Sequence, residues 1–378
     1  MTEPVVPRKL SLIRKGGATD ERIHAVPLAS RLIQRPELGA LAGTILVLGF
    51  FAVTAGDSGM FGSQGILNFL EVSAELGILA VAISILMIGG EFDLSVGSMI
   101  AFAGIFMGLC VTVLGLPLWL AILLTFAVAA LVGCMNGYLL VRTGLPSFIV
   151  TLASMYLLRG ASLVMARSFT GRTQIPNITD GAQDSFIVQL FAGKVGRDLF
   201  IWLAHHGVIE ADSKGMPMAE GIPMSLVWWI VLVAAGTWLL LRSTFGNWVF
   251  AVGGNQVAAR NCGVPVNRVK IILFVISACT ATLLATIQVL EAGSADTLRG
   301  LQKEFEAIIA SVIGGNLLTG GYGSVIGGMF GALIFGTVST GIFYTGVDTD
   351  WFRIFLGAMI IVAVLFNDFI RRRVTRSQ

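Results

Sequence analysis

Long apolar runs alternate with short polar segments along most of this 378-residue chain. Apolar runs of about 17–25 residues match the length of a membrane-spanning helix. The predicted spans are residues 38–56, 73–90, 94–116, 117–141, 147–167, 225–241, 271–290, 325–344 and 351–366. A further run, residues 305–313, is too short to span and is predicted as a half-helix. The pattern therefore predicts an all-α, polytopic membrane protein with about ten membrane segments, including broken or half helices.

The segment 88–106, IGGEFDLSVGSMIAFAGIF, places two carboxylates, Glu91 and Asp93, between two apolar runs. An Asp in hydrocarbon costs about 2.5–3.5 kcal/mol even on the lenient insertion scale, and unpaired backbone groups add several more. Such a break persists only where protein covers it or where it lines a wet cavity, which makes it a candidate translocation path. Asp93 or Ser95 is also a good N-cap for a helix that starts at Leu94.

Further polar side chains, inside the predicted spans or in the glycine-rich loop after the half-helix, are candidates for the same path. Together with the break they give eight candidate path or gating residues: Glu91, Asp93, Ser95, Ser98, Asn136, Thr151, Ser154 and Asn316. In a helix bundle such side chains also serve as hydrogen bonds between helices, and the sequence leaves both roles open.

The start of the break recurs later in the chain. Ile88-Gly-Gly and Gly97-Ser98 have counterparts in Ile313-Gly-Gly and Gly323-Ser324, after a similar apolar helix and before a helix rich in small residues. Paired broken helices in two halves of a chain indicate the central site of a transporter. We therefore predict an internal repeat.

Composition supports a membrane protein and excludes several other classes. The chain is 55% hydrophobic and 12% charged, whereas soluble domains average about 25% charged. A net charge of +3 is too small to indicate nucleic-acid binding. The four cysteines form no CxxC pair, and we expect no metal and no cofactor. No phosphate-binding loop and no catalytic motif is present, so we expect no enzyme activity and no ATP binding by this chain.

Basic residues set the predicted orientation, since cytoplasmic segments carry an excess of Lys and Arg. The polar tail 1–37, the acid-free loop 242–270 and the basic tail 371–378 fall on the cytoplasmic side. The long mixed-charge loop 168–224 falls outside, and its amphipathic part, 186–204, is expected along the interface. The membrane-spanning part is therefore predicted to cover 38–370, with both termini cytoplasmic.

The loop 242–270 contains the signals of a short capped helix. Asn255 is a suitable N-cap for a helix over 256–262, Gly263 suits a left-handed terminus, and Pro265 prevents continuation. A two-turn helix is unstable alone in water, so it must rest on the bundle or on a separate protein. The expected contacts are Val257, Ala258 and Arg260.

At these residues the sequence resembles the membrane-spanning permease subunits of bacterial ABC importers for ribose, xylose and related simple sugars. The resemblance rests on five motifs in the family's order. They are GGEFDLSVGS (89–98), NGYLLV (136–141), LPSFIVTLASMYLLRG (145–160), GGNQVAARNCGVPVNRVK (253–270) and IGGNLLTGGYGSVIGGMFGALIFG (313–336).

The resemblance implies partners that the residues alone do not. Two permease subunits, expected to be a homodimer, would form the pore in the bacterial inner membrane. ATPase subunits would dock on the cytoplasmic face, where they would bind the ATP, and a periplasmic sugar-binding protein would deliver the solute. The residues that match the family's ATPase-coupling helix are Asn255, Gln256, Val257, Ala258, Arg260 and Gly263.

The substrate and one rival mechanism stay open at this point. The loop 168–224 is longer than in ribose-type members and closer to xylose-type ones, and the first motif carries Glu91-Phe92 where ribose-type members differ. A nucleoside, the autoinducer-2 sugar derivative or a polyol are alternative solutes. A self-sufficient secondary transporter would use Glu75, Glu91 and Asp93 as a charged relay, but the capped loop favours the ABC importer.

Overall fold

A computed structural model describes residues 36–361, apart from 183–184, 213–214, 349, 352–353, 355–356 and 359–360. Helices dominate this part of the chain. They are α1 Pro36–Thr54, α2 Ser63–Ile88, α3 Val96–Thr112, α4 Leu118–Thr143, α5 Ser147–Thr170, α6 Phe186–Ala192, α7 Arg197–His205, α8 Met224–Arg242, α9 Thr244–Gly254, α10 Gln256–Asn261, α11 Val266–Ala292, α12 Lys303–Ile313 and α13 Val325–Tyr344. A 3-10 turn, Gly56–Ser58, follows α1.

The polytopic all-α prediction is confirmed. Within the described residues, seven helices (α1, α2, α4, α5, α8, α11 and α13) are long and apolar enough to cross a membrane, judged by length and composition. The shorter apolar α3 and the half-helix α12 correspond to two further predicted segments. The predicted span 351–366 and the tail 371–378 lie mostly or wholly outside the described residues, as does nearly all of the tail 1–37.

The predicted starts of α2 and α11 are wrong, and α9 was not predicted at all. α2 begins at Ser63, ten residues before the predicted start, because Gln64 donates to Asn68 one turn later and Phe69 is buried. α11 begins at Val266 rather than at 271. The predicted loop 242–270 also contains α9, whose Val249 and Val252 are buried against the bundle.

The helices sort into a buried centre and a surrounding layer. Most side chains of α2, α3, α11 and α13 are buried, while α1, α4, α5 and α8 turn large apolar side chains outward. Leu46, Leu131 and Trp238, for example, are 72%, 67% and 63% exposed. Apolar side chains on the outer face are what a helix bundle presents to lipid.

The loop between α5 and α8 folds onto one end of the bundle. Strand β1, Gln174–Ile175, pairs antiparallel with β4, Ala295–Asp296, and β2, Lys194–Val195, pairs with β3, Ile222–Pro223. The predicted amphipathic piece 186–204 is not one helix, because β2 separates α6 from α7.

The segment between α11 and α12, predicted as a simple outer loop, instead runs back alongside α3. Ala295 packs near Gly104, and Gly300 contacts both Ile100 and the backbone of Gly97 in the first turn of α3. Residues 97 and 104 are about 10 Å apart along a helix axis. We call residues 293–303 the re-entrant segment, since it follows α3 back toward the start of that helix.

Candidate functional site

Two irregular segments interrupt the helices: the first break, residues 89–95 between α2 and α3, and the second break, residues 314–324 between α12 and α13. Both begin with the same reversal of the chain. α2 ends at Ile88, Gly89 is still right-handed and Gly90 has φ +81°; α12 ends at Ile313, and Gly315 has φ +88°. In the first break the Glu91 amide donates to the Leu86 carbonyl at 3.2 Å. In the second the Asn316 amide donates in the same way to Ser311 at 3.2 Å. These six-to-one bonds define the Schellman motif, in which a left-handed glycine closes a helix.

The predicted repeat is therefore confirmed where each break begins, but it diverges where each break ends. In the first copy Gly97 and Ser98 lie within α3. In the second copy Ser324 precedes α13 and caps it, with its hydroxyl accepting the Gly327 amide at 2.9 Å.

Glycines from the Gly-Gly pairs 89–90, 253–254 and 320–321 bring the two breaks and the end of α9 into backbone contact. The Gly321 amide donates to the Ile88 carbonyl at 2.8 Å. A Cβ added to Gly320 would lie 2.7 Å from Gly90 Cα, and one added to Gly253 would lie 2.6 Å from the Gly321 nitrogen. No side chain fits at such approaches. We call this contact between Gly90, Gly253, Gly320 and Gly321 the glycine junction.

A buried ion pair links the first break to the helix next to the glycine junction. Glu91 Oε1 lies 2.5 Å from Lys270 Nζ on α11, and both side chains are about one-tenth exposed. The same ammonium group donates to Gln256 Oε1, in the first residue of α10, at 3.0 Å. One lysine therefore connects the first residue of α10 to the first break.

Asp93 cross-links the first break to α11 rather than capping α3. Its Oδ1 accepts from the Ser95 amide at 2.9 Å and from the Ser95 hydroxyl, and its Oδ2 accepts from the Ser277 hydroxyl at 2.7 Å. The predicted start at Leu94 and a cap by the Ser95 side chain are wrong, since α3 starts at Val96 and its N-cap Ser95 makes no side-chain capping bond, but Asp93 does accept the Ser95 backbone amide just ahead of the helix.

Helix α5 accepts hydrogen bonds from two further backbone amides of the first break. The Phe92 amide donates to Ser147 Oγ at 3.0 Å, and the Leu94 amide donates to Thr151 Oγ1 at 3.1 Å. These bonds satisfy backbone groups that would otherwise be unpaired at membrane depth.

Asn136 extends this network between helices. Its amide donates to Ser95 Oγ at 3.2 Å, and its oxygen accepts a short bond from the Ser154 hydroxyl. Helices α4 and α5 are thereby tied to Ser95, at the end of the first break.

Asn316 plays the corresponding part in the second break. Its side-chain nitrogen donates to Ser84 Oγ at 2.9 Å and Ser311 Oγ at 2.8 Å, and its oxygen accepts from the Ser324 amide at 2.7 Å. Ser98 is buried too, but its hydroxyl has no hydrogen-bond partner among the described residues.

The structure thus gathers Glu91, Asp93, Ser95, Asn136, Thr151 and Ser154 around the first break and places Asn316 in the second. All eight predicted path residues are buried. Seven of them bond to other protein groups, which fits the role of holding the breaks in shape. Their predicted role in a translocation path stays a prediction.

The short helix α10 has the predicted caps. Asn255 Oδ1 accepts from the Val257 and Ala258 amides at 3.0 Å each, and Gly263 has φ +84°. The sequence left open whether α10 rests on the bundle or on a separate protein. Ala259 is the residue buried against the bundle, whereas Val257 is 70% exposed and Ala258 and Arg260 are exposed as well.

Sequence reasoning did not single out Lys270, Ser277 or the glycines of the junction. A signal for the glycines was present, because Gly-Gly pairs occur at 89–90, 253–254 and 320–321 and adjacent glycines permit close backbone contact. Lys270 was counted only as one of the basic loop residues. Nothing in the sequence indicates that it pairs with Glu91.

Across the described ranges, no group of three or more His, Cys, Asp and Glu side chains is placed to hold a metal ion.

Comparisons with known proteins decide the family. A family model described as "branched-chain amino acid transport system / permease component" matches residues 65–364. The chain belongs to this permease family. The xylose transport system permease protein of Escherichia coli strain K12 is 30% identical to it over 365 residues, 88% of this chain and 92% of that relative.

Two other relatives from the same strain are similar. An inner membrane ABC transporter permease protein is 31% identical, covering 85% of this chain and 88% of its own. The ribose import permease protein is 30% identical, covering 82% of this chain and 87% of its own. No solved structure matches the chain. The resemblance carried by the five motifs is confirmed, and the chain is a multi-pass transport permease component.

Proposed function

We propose that this chain is the pore-forming subunit of an ABC importer for a neutral simple sugar of the ribose and xylose class. Its partners would be an ATPase that docks on α10, a periplasmic binding protein that delivers the sugar, and a second copy of the chain. ATP would be bound by the ATPase alone. The protein would lie in the bacterial inner membrane with both termini in the cytoplasm.

The observation that carries this proposal is the exposure of most α10 side chains on the surface of the bundle. Only Ala259 of its apolar residues packs on the bundle, while Val257, Ala258 and Arg260 face outward. Arg260 reaches Asn267 at 3.3 Å and is exposed. A rigidly capped two-turn helix with an outward apolar and basic face needs a partner surface to cover it.

Contacts behind α10 supply a route for mechanical coupling. Gln256 is bonded to Lys270, Lys270 is paired with Glu91, and Gly253 packs into the glycine junction. Force applied to α10 would therefore reach both breaks without passing through a flexible loop. Alternating access requires such a link between the ATPase and elements that have two arrangements.

The sugar class is inferred from the relatives, whereas the family description names branched-chain amino acids. The test is therefore a direct comparison of solutes. The chain is reconstituted in liposomes with its ATPase, and uptake of labelled xylose, ribose and leucine is measured with the matching binding protein and ATP.

We expect uptake of a pentose that requires ATP, the ATPase and the binding protein together. Liposomes with the chain alone serve as the control and should show neither uptake nor ATP hydrolysis. Leucine uptake without pentose uptake would refute the sugar assignment. Solute flux driven by the isolated chain would refute the importer mechanism and favour a secondary transporter.

A further inference from the structure

A groove runs along the outer surface of the bundle between α8 and α13. Its lining consists of seven residues of α8, from Ile230 to Arg242, and of Ile326 and Met329 in the first two turns of α13. Its volume is about 550 Å³. Pockets that hold a small organic molecule have volumes of about 300–1,000 Å³. We call this feature the α8–α13 groove.

The shape of the groove follows from one small residue in a row of larger ones. Ile230, Ala234, Trp238 and Arg242 are spaced by four residues, so their side chains lie along one face of α8. Ile230 and Trp238 project outward and are 59% and 63% exposed. The methyl group of Ala234 leaves a depression between them. Apart from Thr237, the α8 side of the lining is apolar until it reaches Arg242.

The length of the groove is close to the depth of one bilayer leaflet. Arg242 follows Ile230 by twelve residues, which is about 18 Å along a helix axis. Half of the hydrocarbon core of a bilayer is about 15 Å thick. A single acyl chain therefore matches the groove in length and in chemistry, and its headgroup would lie beside Arg242.

Arg242 is a cation that forms no ion pair with a described acid. Its side chain is exposed in the last turn of α8, and the ion pairs in the described part of the chain involve Lys194, Lys270 and Lys303 instead. The two adjoining segments, residues 242–270 and the second break, contain no acid. Guanidinium groups bind phosphate through paired hydrogen bonds. This end of the groove is thus electrostatically complementary to an anionic headgroup.

We infer that the α8–α13 groove binds one anionic phospholipid, with an acyl chain against Ala234 and the headgroup phosphate on Arg242. The lipid belongs to the inner leaflet in the proposed orientation, in which α10 lies in the cytoplasm. A zwitterionic headgroup has the same phosphate but adds a cation that the guanidinium repels. Basic pockets between transmembrane helices on the cytoplasmic side are a recurrent type of anionic-lipid site.

A second copy of the chain is the other occupant that an apolar face could accept. A copy that covered the groove would enclose Arg242 and would have to supply an acid, because a buried charge without a partner is strongly destabilising. The cytoplasmic leaflet supplies anionic headgroups at this depth without that requirement. Charge complementarity therefore favours the lipid.

The test measures which lipid stays bound to the purified full-length chain. The chain in detergent is mixed with equal amounts of anionic phosphatidylglycerol and zwitterionic phosphatidylcholine that have the same acyl chains. Native mass spectrometry then counts the lipids bound to each chain. We expect the wild type to retain one phosphatidylglycerol and to prefer it about fivefold over phosphatidylcholine, the ratio expected for one additional contact between charges at a membrane surface.

One set of variants tests the charge at the end of the groove. Arg242→Gln should abolish the preference for phosphatidylglycerol, while Arg242→Lys should keep part of it because the positive charge stays. The matched control is Arg142→Gln, which removes an exposed arginine from the last turn of α4. This control should leave the preference unchanged.

A second set tests the apolar part without changing any charge. Ala234→Phe should fill the groove and lower the binding of phosphatidylglycerol about tenfold, the order expected when an occupied cavity is overpacked. The matched control is Ala235→Phe, at the next exposed position of α8, which does not line the groove. This control should bind lipid as the wild type does.

Equal retention of the two lipids by the wild type would overturn the inference. So would the same loss in either control as in its partner variant, since both results indicate unspecific binding around the bundle. Unchanged lipid binding in Ala234→Phe, together with conversion of a dimer to a monomer in size-exclusion chromatography, would identify a second copy as the occupant. Should Arg242→Gln fail to fold, the two phenylalanine variants decide the question. Sugar uptake does not enter the measurement, so a failure of the proposed function would leave this result standing.

Discussion

Breaking the Glu91–Lys270 pair from one side should destabilise the protein more than removing both charges. Lys270→Met leaves the Glu91 carboxylate buried, 9% exposed, without the ammonium group that lies 2.5 Å from it. Removing one partner of a buried ion pair costs about 3–5 kcal/mol, whereas replacing both by apolar groups is often neutral. We therefore expect the double variant Glu91→Leu/Lys270→Met to recover most of the loss.

The assay is thermal unfolding of the purified protein in detergent. A change of 1 kcal/mol shifts the Tm of a 150–250-residue domain by about 2–4 °C, so Lys270→Met in this larger chain should lower Tm by on the order of 5–10 °C. Arg268→Met, at an exposed position two residues away on α11, is the matched control and should change Tm little.

Transport separates coupling from stability in the same variants. The double variant should regain its Tm and still import poorly, because the link from Gln256 through Lys270 to the first break is gone. Lys270→Met with a wild-type Tm, or a double variant no more stable than the single one, would refute the reasoning.

Three further predictions follow from the contacts at the breaks and at α10. Gly253→Ala should abolish transport and reduce the yield of folded protein, because a Cβ there would collide with the Ile88 carbonyl. The control is Gly254→Ala, since a Cβ at that position meets nothing within 4 Å. Equal yields of the two variants would count against the glycine junction. Asp93→Asn should retain more folded protein in size-exclusion chromatography than Asp93→Leu, since Asn still accepts the Ser95 bonds; identical losses would indicate a role that depends on charge. Asn255→Ala should weaken co-purification of the ATPase by about fivefold, as a lost N-cap costs about 1 kcal/mol, while Asn255→Asp should retain it; full retention of the ATPase by the alanine variant would argue against docking at α10.

The features predicted correctly from sequence are those fixed by neighbouring residues. The spans follow from apolar runs, the cap of α10 follows from Asn255 and Gly263, and the repeated helix ends follow from Ile-Gly-Gly. Each of these signals acts within one or two turns of the chain, so no knowledge of distant residues is needed.

The features that were missed depend on contacts between distant residues. The re-entrant segment follows α3 because Gly300 and Gly97 pack backbone to backbone, and nothing in the sequence of either segment pairs them. Asp93 suited a cap locally, but Ser277, far along the chain, takes one of its oxygens. α9 was missed because the basic residues of 242–270 led to the prediction of one cytoplasmic loop. The spacing of Gly246, Val249 and Val252 is nevertheless that of a buried helix face.

The most direct test of the central claim is a cross-link between α10 and the ATPase. Val257→Cys is introduced into a chain whose four native cysteines are replaced. Importers are assembled from this chain and a series of ATPase variants, each of which carries one surface cysteine. Each importer is then treated with a short bifunctional thiol reagent. Trp238→Cys, on the outward face of α8, is the control. If the ATPase docks on α10, position 257 gives a covalent permease–ATPase product and position 238 gives none. An importer that transports sugar yet forms no product from position 257 with any ATPase cysteine would contradict it.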